Sequence, residues 1–188
     1  ELEGKKIGFI GLGAIGRETQ KICAAIGMRT AGYDPFLTSV QVEGMGAEYY
    51  SDYRELMRDC DVVSIHVPLT EQTRNMITGR ELGLMKSTAL LINCSRGGII
   101  DEADLAEALN AGVIAGAGLD VFGEEPPKAD SSILRAKNII VSPHSAAQTR
   151  EAVIHMAQMC VKGCLAVLNG EKWPYVADSK VYEHEKWR

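Results

Sequence analysis

The chain has 188 residues, 46% hydrophobic and 24% charged, and its 20 Lys plus Arg against 25 Asp plus Glu give a formal charge of −5. That length holds one domain and a fragment of a second, with a core large enough to need no staples, and the acidic balance excludes sequence-independent nucleic-acid binding, which needs basic residues to displace counterions. No apolar run reaches the roughly 18 to 20 residues that span a bilayer, the first residues lack signal-peptide architecture, and five widely spaced cysteines point to a reduced, cytoplasmic chain with buried thiols rather than a metal site.

Short apolar runs alternate with helix-period segments. Ile7 to Ile10 reads as a buried strand, Ala14 to Ile26 as a helix and Met28 to Tyr33 as the next strand. Between the first two lies Gly11-Leu12-Gly13-Ala14-Ile15-Gly16, a GxGxxG turn in the strand-to-helix setting its chemistry requires. Gly11 allows the sharp turn, Gly13 lets a pyrophosphate approach the backbone, and Gly16 lets helix and strand pack closely; the helix N-terminus then offers free N–H groups and partial positive charge. Asp34 lies 18 residues beyond Gly16, where a carboxylate at the strand tip can accept hydrogen bonds from ribose hydroxyls. A 2′-phosphate would meet a like charge there, and Pro35-Phe36-Leu37 offer no Arg, so NAD is favoured over NADP.

Ala47 to Tyr50 is a weaker strand, and Tyr53 to Arg58 a short helix with Ser51 as N-cap and Glu55 near the capping-box position. Asp61 to His66 and Ala89 to Asn93 are strands. Asp104 to Ala111 is a helix stopped by Gly112. Ala115 to Phe122 and Ile139 to Val141 complete the strands, and a long helix runs from about Ala147 to Leu168. Strands that are apolar almost throughout are covered on both faces, so the class is α/β, a doubly wound parallel sheet. Residues 171–188, with two Trp, two Tyr and no clear period, read as an appendage that packs on something else.

Three strand ends carry polar clusters, and ligands of such sheets bind at strand carboxyl ends. Arg96 follows one, Glu124-Glu125 another and His144 a third. Arg96 can grip a carboxylate through two parallel hydrogen bonds. His144 titrates near neutrality and can exchange a proton with a carbonyl or hydroxyl oxygen. Glu125, or Glu124 in its place, can orient the imidazole and favour its charged form. With a nicotinamide, this set suits interconversion of a small anionic 2-hydroxy acid and its 2-keto acid.

Gly11 to Gly16, Tyr33-Asp34-Pro35, His66-Val67-Pro68-Leu69-Thr70, Asn93 to Asp101, Gly118 to Phe122 with Glu124 to Pro127, and Ser142-Pro143-His144 together resemble the NAD-binding domain of the D-isomer-specific 2-hydroxyacid dehydrogenases, a Rossmann-type fold. The likeness runs from about Leu2 to Gly170 and is strongest to members acting on D-3-phosphoglycerate; other members reduce glyoxylate or hydroxypyruvate, or handle D-lactate-type acids, and some relatives are NAD(H)-sensing corepressors. The resemblance implies a dinucleotide-binding domain over 1–170, a substrate-domain remnant over 171–188 with most of that second domain absent, and a homodimer. It implies that Arg96 binds the substrate carboxylate, that His144 is the acid/base and that Glu125 is its partner. Asp120 would contact the nicotinamide carboxamide, His66, Val67 and Pro68 would line the adenine side, and Thr73 would lie near the phosphates. Ala14, Ile15, Cys94 and Ser95 join the cofactor site by the same likeness, with Ala146 where the family often has a Gly.

Overall fold

The structure, a computed structural model, describes residues 1–187. Strands β1 (Lys6–Ile10), β2 (Arg29–Tyr33), β3 (Glu48–Tyr49), β4 (Val62–Ile65), β5 (Leu90–Asn93), β6 (Gly116–Leu119) and β7 (Ile139–Val141) form one parallel sheet in the order β3-β2-β1-β4-β5-β6-β7. Helices α1 (Ala14–Ala25), α2 (Ser39–Glu43), α3 (Tyr53–Asp59), α4 (Gly79–Leu82) and α5 (Glu102–Ala111) occupy the crossovers, and α6 (Arg150–Leu168) follows. The strand order reverses direction between β1 and β4, which opens a crevice at their carboxyl ends. The period of two along β1 divides the core: Ile7 and Phe9 join Leu12, Met28 and Val42 on one face, while Ile10 joins Leu56, Val63, Ile65, Leu91 and Leu105 on the other.

The expected doubly wound sheet is present, with several elements shifted at their ends. α3 is capped by Asp52, whose side chain accepts the Arg54 N–H, and not by Ser51. α5 begins at Glu102 because the Asp101 carboxylate accepts the N–H groups of Ala103 and Asp104. α2 and α4 were not expected, yet both carry capping boxes, Thr38 with Gln41 and Thr78 with Glu81. Buried thiols are found only in part: Cys60 is buried and its thiol pushed up to about 12 by desolvation, Cys23 is half-buried, and Cys94, Cys160 and Cys164 are exposed. Apolar sequence neighbours did not bury these three, because Cys94 sits past a strand end and the other two on an exposed helix.

At the opposite end of β1 from the crevice, Lys6 is buried and ringed by acceptors. Its Nζ lies 2.5 Å from Asp59 and from Glu48, and 3.0 Å from the Tyr50 hydroxyl. Burial works against this ammonium, but the hydrogen bonds to Asp59, Glu48 and Tyr50 outweigh it and hold it above the usual lysine range. Glu48 and Asp59 are held below the usual carboxylate range, chiefly by Lys6.

The chain divides into two compact units, Glu1–His144 and Ser145 onward. Within the second unit, α6 and the tail associate with each other. The Trp173 indole packs over Gly163, and the Tyr182 hydroxyl accepts the Trp173 N–H at 2.7 Å and donates to the Trp173 carbonyl at 2.6 Å. α6 is also long and apolar enough, by length and composition alone, to cross a bilayer. It contains no unbroken apolar run of that length, because Arg150, Glu151, His155, Gln158 and Lys162 interrupt it.

Candidate active site

The glycine turn sits at the reversal point. Gly11 has φ +98°, and a Cβ there would lie 2.9 Å from the His66 backbone carbonyl. A Cβ on Gly16 would lie 2.4 Å from the Gly11 carbonyl oxygen, so helix and turn touch backbone to backbone. Gly13, the N-cap of α1, has open space where a Cβ would be and no side chain to cap the helix. The first-turn N–H groups of α1 therefore face room that an anion can fill. Arg17 stiffens the turn by donating from Nε to the Leu12 carbonyl at 2.7 Å.

A cavity of about 670 Å³ is lined by the candidate cofactor residues Gly11, Gly13, Asp34, His66, Val67, Pro68 and Thr73, and by other residues. Among these are Tyr33, Tyr53 and Arg54. Tyr53 holds its ring by donating to the Met76 carbonyl at 3.1 Å, 5.7 Å from the Tyr33 ring and under the Arg54 guanidinium. Arg54 is engaged by the buried Glu81 carboxylate at 3.1 Å. Asp34 accepts the Leu12 N–H through Oδ2 and the Phe36 N–H through Oδ1, both at 2.9 Å. It shapes the turn before Pro35 and is fixed at the cavity wall by the same two bonds, with further lone pairs to offer a ligand.

A second cavity, about 260 Å³, shares His66, Val67 and Pro68 with the first and adds Ile15, Cys94, Ser95 and Arg96. Burial holds the His66 imidazole below its usual range, and its Nε2 meets the Ser64 hydroxyl at 2.9 Å. Partial desolvation of the sulfur in this otherwise exposed residue, aided by the Asp120 charge, raises the Cys94 thiol. The Arg96 loop is folded by buried Asn93, which donates to the Arg96 carbonyl at 2.9 Å and accepts from the Ser95 backbone and hydroxyl. Arg96 donates from Nη1 to its neighbour's carbonyl and pairs with neither Asp101, which caps α5, nor Glu102, which binds Gly123.

His144, at φ +53°, meets Glu125 Oε2 through Nδ1 at 2.7 Å. A carboxylate only accepts, so Nδ1 carries the hydrogen of this bond. The His144 hydrogen bond, then the Phe122 N–H at 3.0 Å, hold Glu125 below the usual carboxylate range. Glu125 is thus the glutamate that meets His144, while Glu124 pairs with Lys128. Phe122, Pro126, Pro127 and Pro143 wall this third cavity, about 200 Å³. Between the two arms, Asp120 is buried at the end of β6 and accepts the Ser142 hydroxyl at 2.5 Å, tying the exits of β6 and β7 together. Arg96, Asp120 and His144 thus leave adjacent strands on one rim. Ala14 and Gly16 line none of these cavities, and Ala146 falls in the second unit.

The profile of the D-isomer specific 2-hydroxyacid dehydrogenase NAD binding domain matches residues 1–146. The chain belongs to that family. Among dehydrogenases of known sequence it is 45% identical over 171 residues to D-3-phosphoglycerate dehydrogenase from Methanocaldococcus jannaschii, covering 91% of this chain and 32% of that protein. It is 40% identical over 181 residues to glyoxylate reductase from Aeropyrum pernix, covering 96% and 54%. A solved D-isomer specific 2-hydroxyacid dehydrogenase from Lactobacillus delbrueckii ssp. bulgaricus, in its NAD-complexed form, superposes with a TM-score of 0.85 at 32% identity, over 94% of this chain and 57% of that one. The chain therefore spans from 32% to 57% of these relatives' length. As this family's domain, its cofactor is NAD, and the residues fit it: a cradle open at Gly13, an uncapped helix N-terminus, and a carboxylate at the tip of β2.

Proposed function

We propose that this chain is the cofactor-binding half of an NAD-dependent oxidoreductase that interconverts a D-2-hydroxy acid and its 2-keto acid. The observation that carries the reading is the Glu125–His144 pair at 2.7 Å on the same rim of strand ends as Arg96 and the glycine cradle. Bound NAD supplies the hydride acceptor or donor. Arg96 grips the substrate carboxylate and sets the orientation of C2. His144 Nε2 gives a proton to the carbonyl oxygen during reduction and takes it from the hydroxyl during oxidation. Glu125 fixes the ring tautomer and stabilises the imidazolium. Asp120 would contact the nicotinamide carboxamide, and Cys94 and Ser95 would help line the cofactor site.

Within the family we assign it to the D-3-phosphoglycerate dehydrogenase type, supported by 45% identity to such an enzyme against 40% to a glyoxylate reductase. We also read it as a cytoplasmic homodimer. Three exposed free thiols suit a reducing compartment. The test is turnover of the whole protein that carries this chain, with NAD, on D-3-phosphoglycerate, glyoxylate, hydroxypyruvate and D-lactate. Preference for phosphoglycerate supports the assignment, preference for glyoxylate or lactate moves it to those members, and tight NADH binding without any turnover points to a sensor.

A further inference from the structure

The two arms of the site press on each other through backbone. A Cβ on Gly97 would lie 1.8 Å from the Phe122 carbonyl oxygen and 2.6 Å from the Gly123 nitrogen, so the Arg96 loop lies directly against the exit of β6. The two successive N–H groups of that exit each meet a carboxylate. Phe122 donates to Glu125 Oε1 at 3.0 Å, and Gly123 donates to Glu102 Oε1 at 2.6 Å. Glu102 opens α5, the helix that begins just beyond Arg96-Gly97-Gly98. One carboxylate therefore fastens the loop bearing Glu125 to α5, the helix that follows the Arg96 loop.

We propose that Glu102 is a positioning residue: by holding the Gly123 N–H it fixes the Phe122–Glu125 turn and so keeps Glu125 in register with His144. Glu102 lines none of the three cavities of the site. It acts through Glu125, whose Oε1 must stay on Phe122 for Oε2 to reach the imidazole. The inference rests on the roles proposed above for Glu125 and His144, but its geometry is readable without turnover.

Three variants separate the possibilities. Glu102→Gln keeps a carbonyl oxygen at the same reach. Glu102→Asp keeps the charge and the first-turn preference for acids but is one methylene short. Glu102→Ala removes the acceptor. Glutamate-labelled chain, with Glu125 assigned by its loss in Glu125→Gln, is titrated by carbon NMR. The expected result is an upward move of the Glu125 midpoint toward the ordinary carboxylate value in Ala and Asp, and a midpoint unchanged in Gln. In the whole protein, kcat should fall about 10- to 100-fold in Ala and Asp, as a displacement of about 1 Å costs, with KM for the acid held by Arg96 and with Gln within about threefold of wild type. An unmoved Glu125 midpoint in the folded Asp variant, or a Gln variant that behaves like Ala, overturns the proposal. A chain that shows these shifts in a protein lacking turnover keeps the proposal and refutes the dehydrogenase reading instead.

Discussion

Gly13 and Gly16 stand three residues apart in the same turn, yet the structure gives their methyl groups opposite fates. A Cβ on Gly13 meets nothing within 4 Å, and its φ of −68° suits alanine. Gly13→Ala should therefore fold normally, with stability unchanged or raised by about 0.4–1 kcal/mol through the lost chain entropy of glycine. The same methyl occupies the room through which a pyrophosphate reaches the helix N–H groups. A methyl carbon needs about 3.5 Å from a phosphate oxygen, whereas an N–H donor sits at about 2.9 Å. The phosphate is pushed out by on the order of 1 Å, and one charge-assisted hydrogen bond worth about 1.5–3 kcal/mol is lost. The Kd for NAD should then rise about 10- to 150-fold. Gly16→Ala drives its Cβ to 2.4 Å from the Gly11 carbonyl oxygen and should cost about 1–3 kcal/mol of fold stability by overpacking. Thermal melting and calorimetric titration of the chain with NAD measure both quantities. A folded Gly13→Ala chain that binds NAD as wild type does would refute the cradle.

Other outcomes follow from the same geometry. In the whole protein, His144→Ala should lower kcat about 10²- to 10⁴-fold with NAD affinity nearly unchanged; steady-state rates and calorimetry check this, and normal turnover removes His144 from the reaction. Asp34→Ala should narrow the gap between NAD and NADP affinities, read by titration with both dinucleotides; equal binding of the two by the wild type would contradict its role. Glu48 and Asp59 have folded pKa values below their unfolded ones, so their contribution is full above about pH 4 and drains as pH falls through the depressed values. Lys6→Met should cost about 1–2 kcal/mol, discounted because both partners are half-exposed, and should flatten that acid limb in melts across pH; an unchanged limb rules out Lys6 as its source.

The sheet was legible because each central strand is an apolar run bounded by turn residues, and β1 with its glycines announced both fold and ligand. The two short helices were missed although Thr38/Gln41 and Thr78/Glu81 have capping-box spacing, because four or five residues carry no hydrophobic period. Arg96, Glu125 and His144 were legible because they sit at strand ends, where the fold class itself converges side chains. Asn93, Glu102 and Ser142 were not, because each acts on a backbone group or carboxylate through a turn or a neighbouring element whose proximity only the folded chain creates. Arg54 shows the same limit: it lines the same cavity as Asp34 only because α3 folds back onto it, and the stretch after Asp34 gives no hint of it.

A crystal structure of the chain grown with saturating NAD tests the central claim most directly. The account predicts the pyrophosphate on the first turn of α1 above Gly13, the adenosine between Asp34 and Tyr53, and the nicotinamide on the rim that carries Arg96, Asp120 and His144. Density for the dinucleotide on any other surface, or a nicotinamide turned away from His144, contradicts it.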